Sequence, residues 1–122
     1  MRVVLIDDDA GYLSACAAIL RQDRHDVVAC SDFNEGRRQL KENHFDALIT
    51  DVRLGAYNGL HLIVLAAPSM IKIALSAFPD PVIQREAEQA GARFVVKPAD
   101  GASLSALLAQ AGDGTAAAQS QL

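Results

Sequence analysis

Polar or charged side chains end four short apolar runs of this sequence, and they are of types that could do chemistry together. In chain order they are Asp7 with Asp8, then Asp51, then Ser76, then Lys97. Carboxylates brought close together repel one another, and burial raises that cost, so a cation is needed to offset them. Mg²⁺ suits such a set best, because it binds carboxylate oxygens, backbone carbonyls and water. The pattern predicts a magnesium site with a lysine across from it.

The elements that must position these side chains alternate between strand-like and helix-like segments. Short runs rich in Val, Ile and Leu predict five buried strands, at residues 2–6, 26–30, 47–50, 71–76 and 93–96. Apolar spacing and caps predict a helix after each strand, the first with an apolar face from Leu13 to Leu20 and the others at 34–43, 58–67, 81–90 and 100–111.

This alternation predicts an α/β fold, a flavodoxin-like (βα)5 three-layer sandwich whose parallel five-stranded sheet has the order 2-1-3-4-5. The first, third, fourth and fifth strands are neighbours in that order, so their polar carboxyl ends should meet in one crevice. Asp after a strand is often only a helix cap, and we expect Asp9 to cap the first helix. Capping does not account for two acidic ends, a hydroxyl and a lysine at four matched positions.

Length and composition limit the class of protein. The chain has 122 residues, 51% of them apolar, which suits one domain at residues 1–111 with a flexible tail or linker at 112–122. The net charge of −4 argues against direct binding of nucleic acid or anionic membranes, because no surplus of cations exists to neutralise phosphates. The sequence has neither the run of about 20 apolar residues that spans a membrane nor a signal-peptide pattern, so we expect a cytoplasmic protein.

Five motifs at the strand ends together resemble the receiver domain of bacterial two-component response regulators, which is CheY-like. The motifs are Leu5-Ile6-Asp7-Asp8-Asp9, Leu48-Ile49-Thr50-Asp51-Val52-Arg53-Leu54, Asn58-Gly59-Leu60, Ala74-Leu75-Ser76-Ala77 and Val95-Val96-Lys97-Pro98. The resemblance covers residues 2–111. It implies a phosphorelay protein that takes a phosphoryl group from the phosphohistidine of a sensor histidine kinase or phosphotransfer protein. Such a domain is not an enzyme acting on outside substrates, because it catalyses only its own phosphotransfer and dephosphorylation.

The resemblance implies a role for each residue of the expected metal site. Asp51 matches the phosphoacceptor and also a ligand of Mg²⁺. Asp8 matches a direct ligand, whereas Asp7 matches an acidic residue that acts more through water. The backbone carbonyl of Arg53 matches the third protein ligand.

The resemblance also implies a switch that responds to phosphorylation. Ser76 matches the hydroxyl that turns toward the phosphoryl group, and Lys97 matches the lysine that pairs with a phosphoryl oxygen. The bond between Lys97 and Pro98 is cis in the family. Phe94 matches the aromatic switch position, although it lacks the hydroxyl of a tyrosine. The altered surface would lie on the fourth helix, fifth strand and fifth helix.

Two departures from the family pattern concern the loop and helix after the third strand. Gly55 stands where the family usually has proline, so the fixed φ of proline is lost and a more mobile loop is expected. The stretch from Gly59 to Ser76 is shorter than is usual, which predicts a truncated third helix or link.

Three competing interpretations come from other classes of protein. A flavodoxin-like FMN protein needs a Ser/Thr/Gly-rich phosphate loop after the first strand, and the three aspartates there would repel a phosphate. A phosphatase of the haloacid dehalogenase type requires an Asp-x-Asp motif after the first strand, which Asp7 and Asp9 supply. That family usually has a longer chain with a cap domain, which argues against it here. The main alternative is a receiver that binds partners without phosphorylation, which the missing proline and short third helix leave open.

Apolar surface predicts association. The third helix carries apolar residues around most of its circumference, and the fifth, at 103–111, is nearly uncharged and rich in Leu and Ala. Soluble monomers rarely leave large apolar patches in water, so we expect self-association, such as a homodimer, or docking through one of these helices.

Overall fold

A parallel five-stranded sheet forms the centre of the computed structural model, which describes residues 1–120 and the side chains of residues 1–112. The strands of the chain are β1 (Arg2–Ile6), β2 (Asp26–Cys30), β3 (Ala47–Asp51), β4 (Arg53–Leu54), β5 (Tyr57–Asn58), β6 (Ile71–Ser76) and β7 (Arg93–Val96). The sheet has the order β2-β1-β3-β6-β7, which confirms the predicted order because β6 and β7 are the fourth and fifth predicted strands. The sequence did not predict the small antiparallel hairpin of β4 and β5.

Five helices cover the sheet: α1 (Ala10–Gln22), α2 (Phe33–Glu42), α3 (Leu60–Leu65), α4 (Pro81–Gln89) and α5 (Gly101–Ser120). No helix of the described chain is both long enough and apolar enough to cross a membrane. The short α3 agrees with the expected truncation, but the predicted span of 58–67 is wrong at both ends. Asn58 belongs to β5, and the backbone becomes extended at Ala66, shortly before Pro68, whose ring disfavours helical geometry in the preceding residue.

The last helix continues past its predicted end at Ala111, to Ser120. The predicted flexible tail, 112–122, therefore begins within the span assigned to α5. The side chains of 113–120 and the whole of 121–122 lie outside the described residues, so the nature of this tail stays a prediction.

Two apolar layers hold the sheet between the helices, because neighbouring residues of a strand point to opposite faces. Val4, Ile6 and Leu48 belong to the layer that packs against α2, α3 and α4. Val3 and Leu5 belong to the layer that packs against α1 and α5. With both faces buried, the carboxyl ends of the strands are held in fixed positions relative to one another.

The helix starts confirm the caps expected from the sequence. The Asp9 carboxylate accepts a hydrogen bond from the Tyr12 backbone N–H at 3.1 Å and so caps α1. The Asp80 carboxylate caps α4 by accepting from the backbone N–H groups of Val82 and Ile83. These acidic side chains satisfy N–H groups that have no partner within their helix.

The α3 helix buries only part of its apolar surface. Leu62 and Ile63 are fully buried, whereas Val64 is 72% exposed and Leu65 is 51% exposed. The apolar excess seen in the sequence is therefore partly core packing and partly surface.

Candidate functional site

Lys97 lies between two carboxylates at the carboxyl edge of the sheet. Its Nζ donates to Asp7 Oδ2 at 2.7 Å and to Asp51 Oδ2 at 2.9 Å. Asp7 directly follows β1, Asp51 ends β3, and the Lys97 backbone N–H donates to the Ser76 carbonyl at 2.7 Å, which continues the pairing of β6 with β7. Parallel pairing thus brings together side chains that are up to 90 positions apart in the sequence.

Three carboxylates form a compact acidic cluster beside this lysine. Oxygen atoms of Asp7, Asp8 and Asp51 all lie within 4.8 Å of one another. Asp7 is fully buried and Asp51 is 8% exposed, whereas Asp8 faces solvent. One lysine does not balance three carboxylates, so the cluster retains an excess of negative charge.

Backbone N–H groups fix the orientation of each carboxylate. Asp7 Oδ1 accepts from the Asp9 N–H at 2.9 Å, and Asp51 Oδ1 accepts from the Arg53 N–H at 3.1 Å. Asp8 Oδ2 accepts from the Gly55 N–H at 3.1 Å. The side chains are therefore held in place before any ligand arrives.

The donor set fits a hard divalent cation. Carboxylate oxygens held close together, one of them facing solvent, are the ligands that Mg²⁺ and Ca²⁺ prefer. Asp8 and Asp51 line the cavity at this edge of the sheet and so offer oxygens to a ligand there, whereas the Asp7 carboxylate is fully buried beside them. Arg53 begins β4 directly beside the cluster, so its main chain borders the same space.

Burial and pairing shift the pKa values of Asp7 and Lys97 by different mechanisms. Burial raises the pKa of the Asp7 carboxyl, and this effect outweighs the hydrogen bond from Lys97. Burial alone would lower the pKa of Lys97, but its hydrogen bonds to Asp51 and Asp7 outweigh burial and raise it. Lys97 therefore stays cationic across the ordinary range of pH, while the charge of Asp7 is unfavourable in the folded chain.

The two expected switch residues, Ser76 and Phe94, lie on β6 and β7, and within the described chain the Ser76 hydroxyl is hydrogen-bonded to Phe78 and not to Asp51. The Ser76 hydroxyl donates to the Phe78 carbonyl at 2.7 Å and accepts from the Phe78 N–H at 3.3 Å, so it is turned toward its own loop. Ser76 and Asp51 nevertheless line the same cavity, of about 530 Å³. Phe94 is half-buried on β7, paired in register with Ala74, and packs against the layer that faces α4.

The β4–β5 hairpin covers one side of the acidic cluster, where the sequence predicted only a mobile loop. Gly55 has a φ of +62°, a left-handed conformation that proline cannot adopt. The ring of Tyr57 stacks on that of Phe33, with centroids 4.7 Å apart, which ties the hairpin to α2. Gly59 is needed for a different reason, since a Cβ there would lie 1.9 Å from the Asp51 carbonyl oxygen.

Comparison with known proteins shows the family to which this site belongs. Residues 3–109 match the family model described as the response regulator receiver domain. This chain belongs to that family. The receiver domain has the architecture that the alternation of strands and helices predicted, and the Lys97–Pro98 peptide is cis, as the resemblance implied.

Known relatives extend the comparison in sequence and in fold. GlrR, a transcriptional regulatory protein of Escherichia coli K12, is 32% identical over 104 residues, which are 80% of this chain and 23% of GlrR. The CheY-like receiver domain protein of Methanospirillum hungatei JF-1 superposes with a TM-score of 0.87 at 23% identity, covering 93% of this chain and 94% of that one. A Burkholderia pseudomallei response regulator, solved with a phosphorylated aspartic acid, calcium ion and citrate, has a TM-score of 0.78 at 23% identity, covering 84% and 63%.

The receiver domain described here spans less than a third of the length of the curated relatives that it matches first. The names of those relatives describe longer proteins. Only the fold and the family are therefore shown for this chain.

Sequence reasoning missed one aromatic residue at the site of this receiver domain. The Lys97 ammonium lies over the ring of Tyr12, 4.5 Å from its centroid. Tyr12 is three residues beyond Asp9, in the first turn of α1, which begins where β1 meets the crevice. An aromatic residue in that turn is the signal that could have identified it.

Proposed function

We propose that this receiver domain accepts a phosphoryl group on Asp51 in a Mg²⁺-dependent reaction. One observation carries the proposal: the Asp51 carboxylate belongs to the acidic cluster, lies 2.9 Å from the ammonium of Lys97 and lines a cavity open to solvent. The Burkholderia pseudomallei relative, with its phosphorylated aspartic acid, supports it by analogy. The donor is the phosphohistidine of a sensor histidine kinase or phosphotransfer protein.

Each side chain has a task in the transfer. An oxygen of Asp51 attacks the phosphorus atom, the bond from phosphorus to the imidazole nitrogen breaks, and its electron pair stays on that nitrogen. When bound, Mg²⁺ would neutralise charge on the phosphoryl oxygens. Asp8, Asp51 and the Arg53 carbonyl would hold it directly, with Asp7 acting more through water. Lys97 exchanges its contact with Asp51 for one with a phosphoryl oxygen.

The new charge is then converted into a change of surface. A phosphoryl group adds about −1.5 to −2 charges, and the Ser76 hydroxyl can donate to it only after leaving the Phe78 carbonyl. That rearrangement draws in the loop between β6 and α4. Phe94 moves into the vacated space, and the face of α4, β7 and α5 is altered.

The domain serves as a phosphoacceptor and promotes only its own phosphorylation and dephosphorylation. Its partners are the kinase and a second copy of the chain, since Val82 at the start of α4 is 58% exposed and Val96 at the end of β7 is 38% exposed. Direct binding to nucleic acid is not part of the proposal, because the net charge is −4.

A phosphorylation-independent interaction module is the alternative function. It is favoured by Gly55, which replaces the usual proline, and by the six-residue α3. Incubation with acetyl phosphate separates the two functions. Our proposal expects one added phosphoryl group by intact mass in Mg²⁺ and none in a chelator, whereas the interaction module expects no addition in either.

A further inference from the structure

The Lys97 ammonium has a third partner besides the two carboxylates. It lies 4.5 Å from the centroid of the Tyr12 ring, while Asp7 and Asp51 accept its hydrogen bonds at 2.7 and 2.9 Å. A cation over an aromatic face is attracted by the electron density of the ring. The ammonium is thus held by two anions and by one uncharged surface.

Tyr12 is held by hydrogen bonds at its backbone and at its hydroxyl. Its backbone N–H donates to the capping carboxylate of Asp9 at 3.1 Å, which sets the first turn of α1. Its hydroxyl donates to the carbonyl of Ala99, two residues after Lys97 and buried. The side chain therefore links α1 to the loop between β7 and α5, directly beneath the lysine.

The requirements of phosphotransfer give this contact a purpose. During transfer the ammonium must give up Asp51 and take a phosphoryl oxygen. The aromatic face carries no net charge and accepts neither the phosphoryl group nor the metal, so it can hold the ammonium before and after the exchange.

We propose that Tyr12 is a positioning residue for Lys97, holding its ammonium over the crevice through the aromatic face and tying that face to the Ala99 carbonyl. This inference rests on the proposed function of Asp51 and Lys97. Tyr12 also packs beside the layer between the sheet and α1 and α5, so a core role must be separated from the positioning role.

Three variants make the separation. Tyr12→Leu keeps an apolar side chain but removes the ring, and Tyr12→Phe keeps the ring but removes the hydroxyl. Ile19→Val is the matched control, because Ile19 lies on the same helix, α1, and packs closely against Gly101 of α5. A Cβ added to Gly101 would lie only 2.7 Å from the Ile19 Cβ. It loosens the same helix pair without touching the lysine.

The first readout is the NMR shift of the Lys97 ε-methylene protons, which needs neither metal nor phosphodonor. The chain has three lysines, at 41, 72 and 97, so the signal can be assigned by its loss in Lys97→Met. The upfield shift caused by the ring should persist in Tyr12→Phe and Ile19→Val and disappear in Tyr12→Leu. A shift that is absent from the parent chain would overturn the proposed contact.

The second readout is the rate of labelling of the folded chain by acetyl phosphate in Mg²⁺. Tyr12→Leu should lower the maximal rate about 5- to 30-fold, with less effect on the half-saturating concentration of the donor. Tyr12→Phe should retain most of the rate, and Ile19→Val should stay within about twofold of the parent. In a Lys97→Met background, Tyr12→Leu should bring no further loss.

Failure of this inference is distinct from failure of the proposed function. A parent chain that labels, with Tyr12→Leu labelling equally fast, would overturn the positioning role alone. Equal slowing by Tyr12→Leu with and without Lys97 would also overturn it, because the effect would not pass through the lysine. A parent chain that does not label at all would overturn the proposed function and the positioning role together.

Discussion

The ammonium of Lys97, which follows β7, donates to the carboxylate of Asp51, which ends β3, at a distance of 2.9 Å. This pair joins two strands that are separated by β6 in the sheet, so it exists only when the whole carboxyl edge is assembled. In the proposed function, Lys97 pairs with the incoming negative charge and Asp51 forms the new bond to phosphorus.

Asp8 and Asp9 should differ in their effect on metal binding. Asp8→Ala removes an exposed oxygen donor of the acidic cluster and should weaken Mg²⁺ binding at least tenfold. Asp9→Ala removes the α1 cap, which should lower stability by about 1 kcal/mol and change Mg²⁺ affinity only slightly. Metal titration by calorimetry measures both, and the reverse ranking would contradict the assignment.

Asp7→Asn should make the stability of the metal-free protein less sensitive to a rise in pH. Burial raises the pKa of the Asp7 carboxyl in the folded chain above its ordinary value of 3.8. The stability that the protonated carboxyl contributes is therefore fully present below pH 3.8 and is lost as the pH rises through the folded pKa. The amide carries no charge and so avoids this loss, but it accepts with only one oxygen where Asp7 accepts with two, which offsets part of the gain at every pH. Thermal melts in a chelator should show the Asp7→Asn variant gaining melting temperature relative to the parent as the pH is raised from below 4 to 7. A difference that is independent of pH would contradict the expected burial of charge.

The family's usual proline should be harmful at position 55. Gly55→Pro removes the N–H that donates to Asp8 and demands a φ near −65° where the chain has +62°. We expect a loss of about 1–3 kcal/mol in stability and weaker Mg²⁺ binding. Gly55→Ala is the matched control, because it strains the same backbone but keeps the N–H, so it should lose stability while retaining metal affinity. Equal metal affinities in the two variants would show that the N–H does not orient Asp8.

The exposed apolar residues should support association that depends on phosphorylation. Sedimentation at micromolar concentration, with and without a phosphoryl mimic, should show dimers that increase with the mimic. Val82→Glu on α4 should abolish them, and Val64→Glu on α3 should not, if the face of α4, β7 and α5 is the one used. A monomer in both states would refute association. Loss of the dimer in Val64→Glu but not in Val82→Glu would place the dimer interface on α3.

Much of the fold followed from local patterns in the sequence. Buried strands read as short apolar runs, and Asp80-Pro81 marks a helix start whatever surrounds it. The order of the strands followed from the rules for parallel sheets, and that order alone put Asp7, Asp51 and Lys97 side by side.

The features that sequence reasoning missed depend on contacts between distant segments. The β4–β5 hairpin has strands of two residues, too short for a periodic signal, and the stacking of Tyr57 on Phe33 accompanies it. The contact between Tyr12 and Lys97 joins α1 to a loop near the end of the domain. The orientation of the Ser76 hydroxyl toward Phe78 likewise depends on the conformation of its loop and not on its residue type.

The position of the phosphoryl group on the chain tests the assignment of Asp51 most directly. After treatment with acetyl phosphate and Mg²⁺, borohydride reduces an aspartyl phosphate to homoserine, which peptide mass spectrometry can assign to one position. We expect homoserine at position 51 alone, with no conversion in the chelator-treated chain or in Asp51→Asn. Conversion at another aspartate, or none in a folded, Mg²⁺-bound chain, would contradict the assignment of Asp51 as phosphoacceptor.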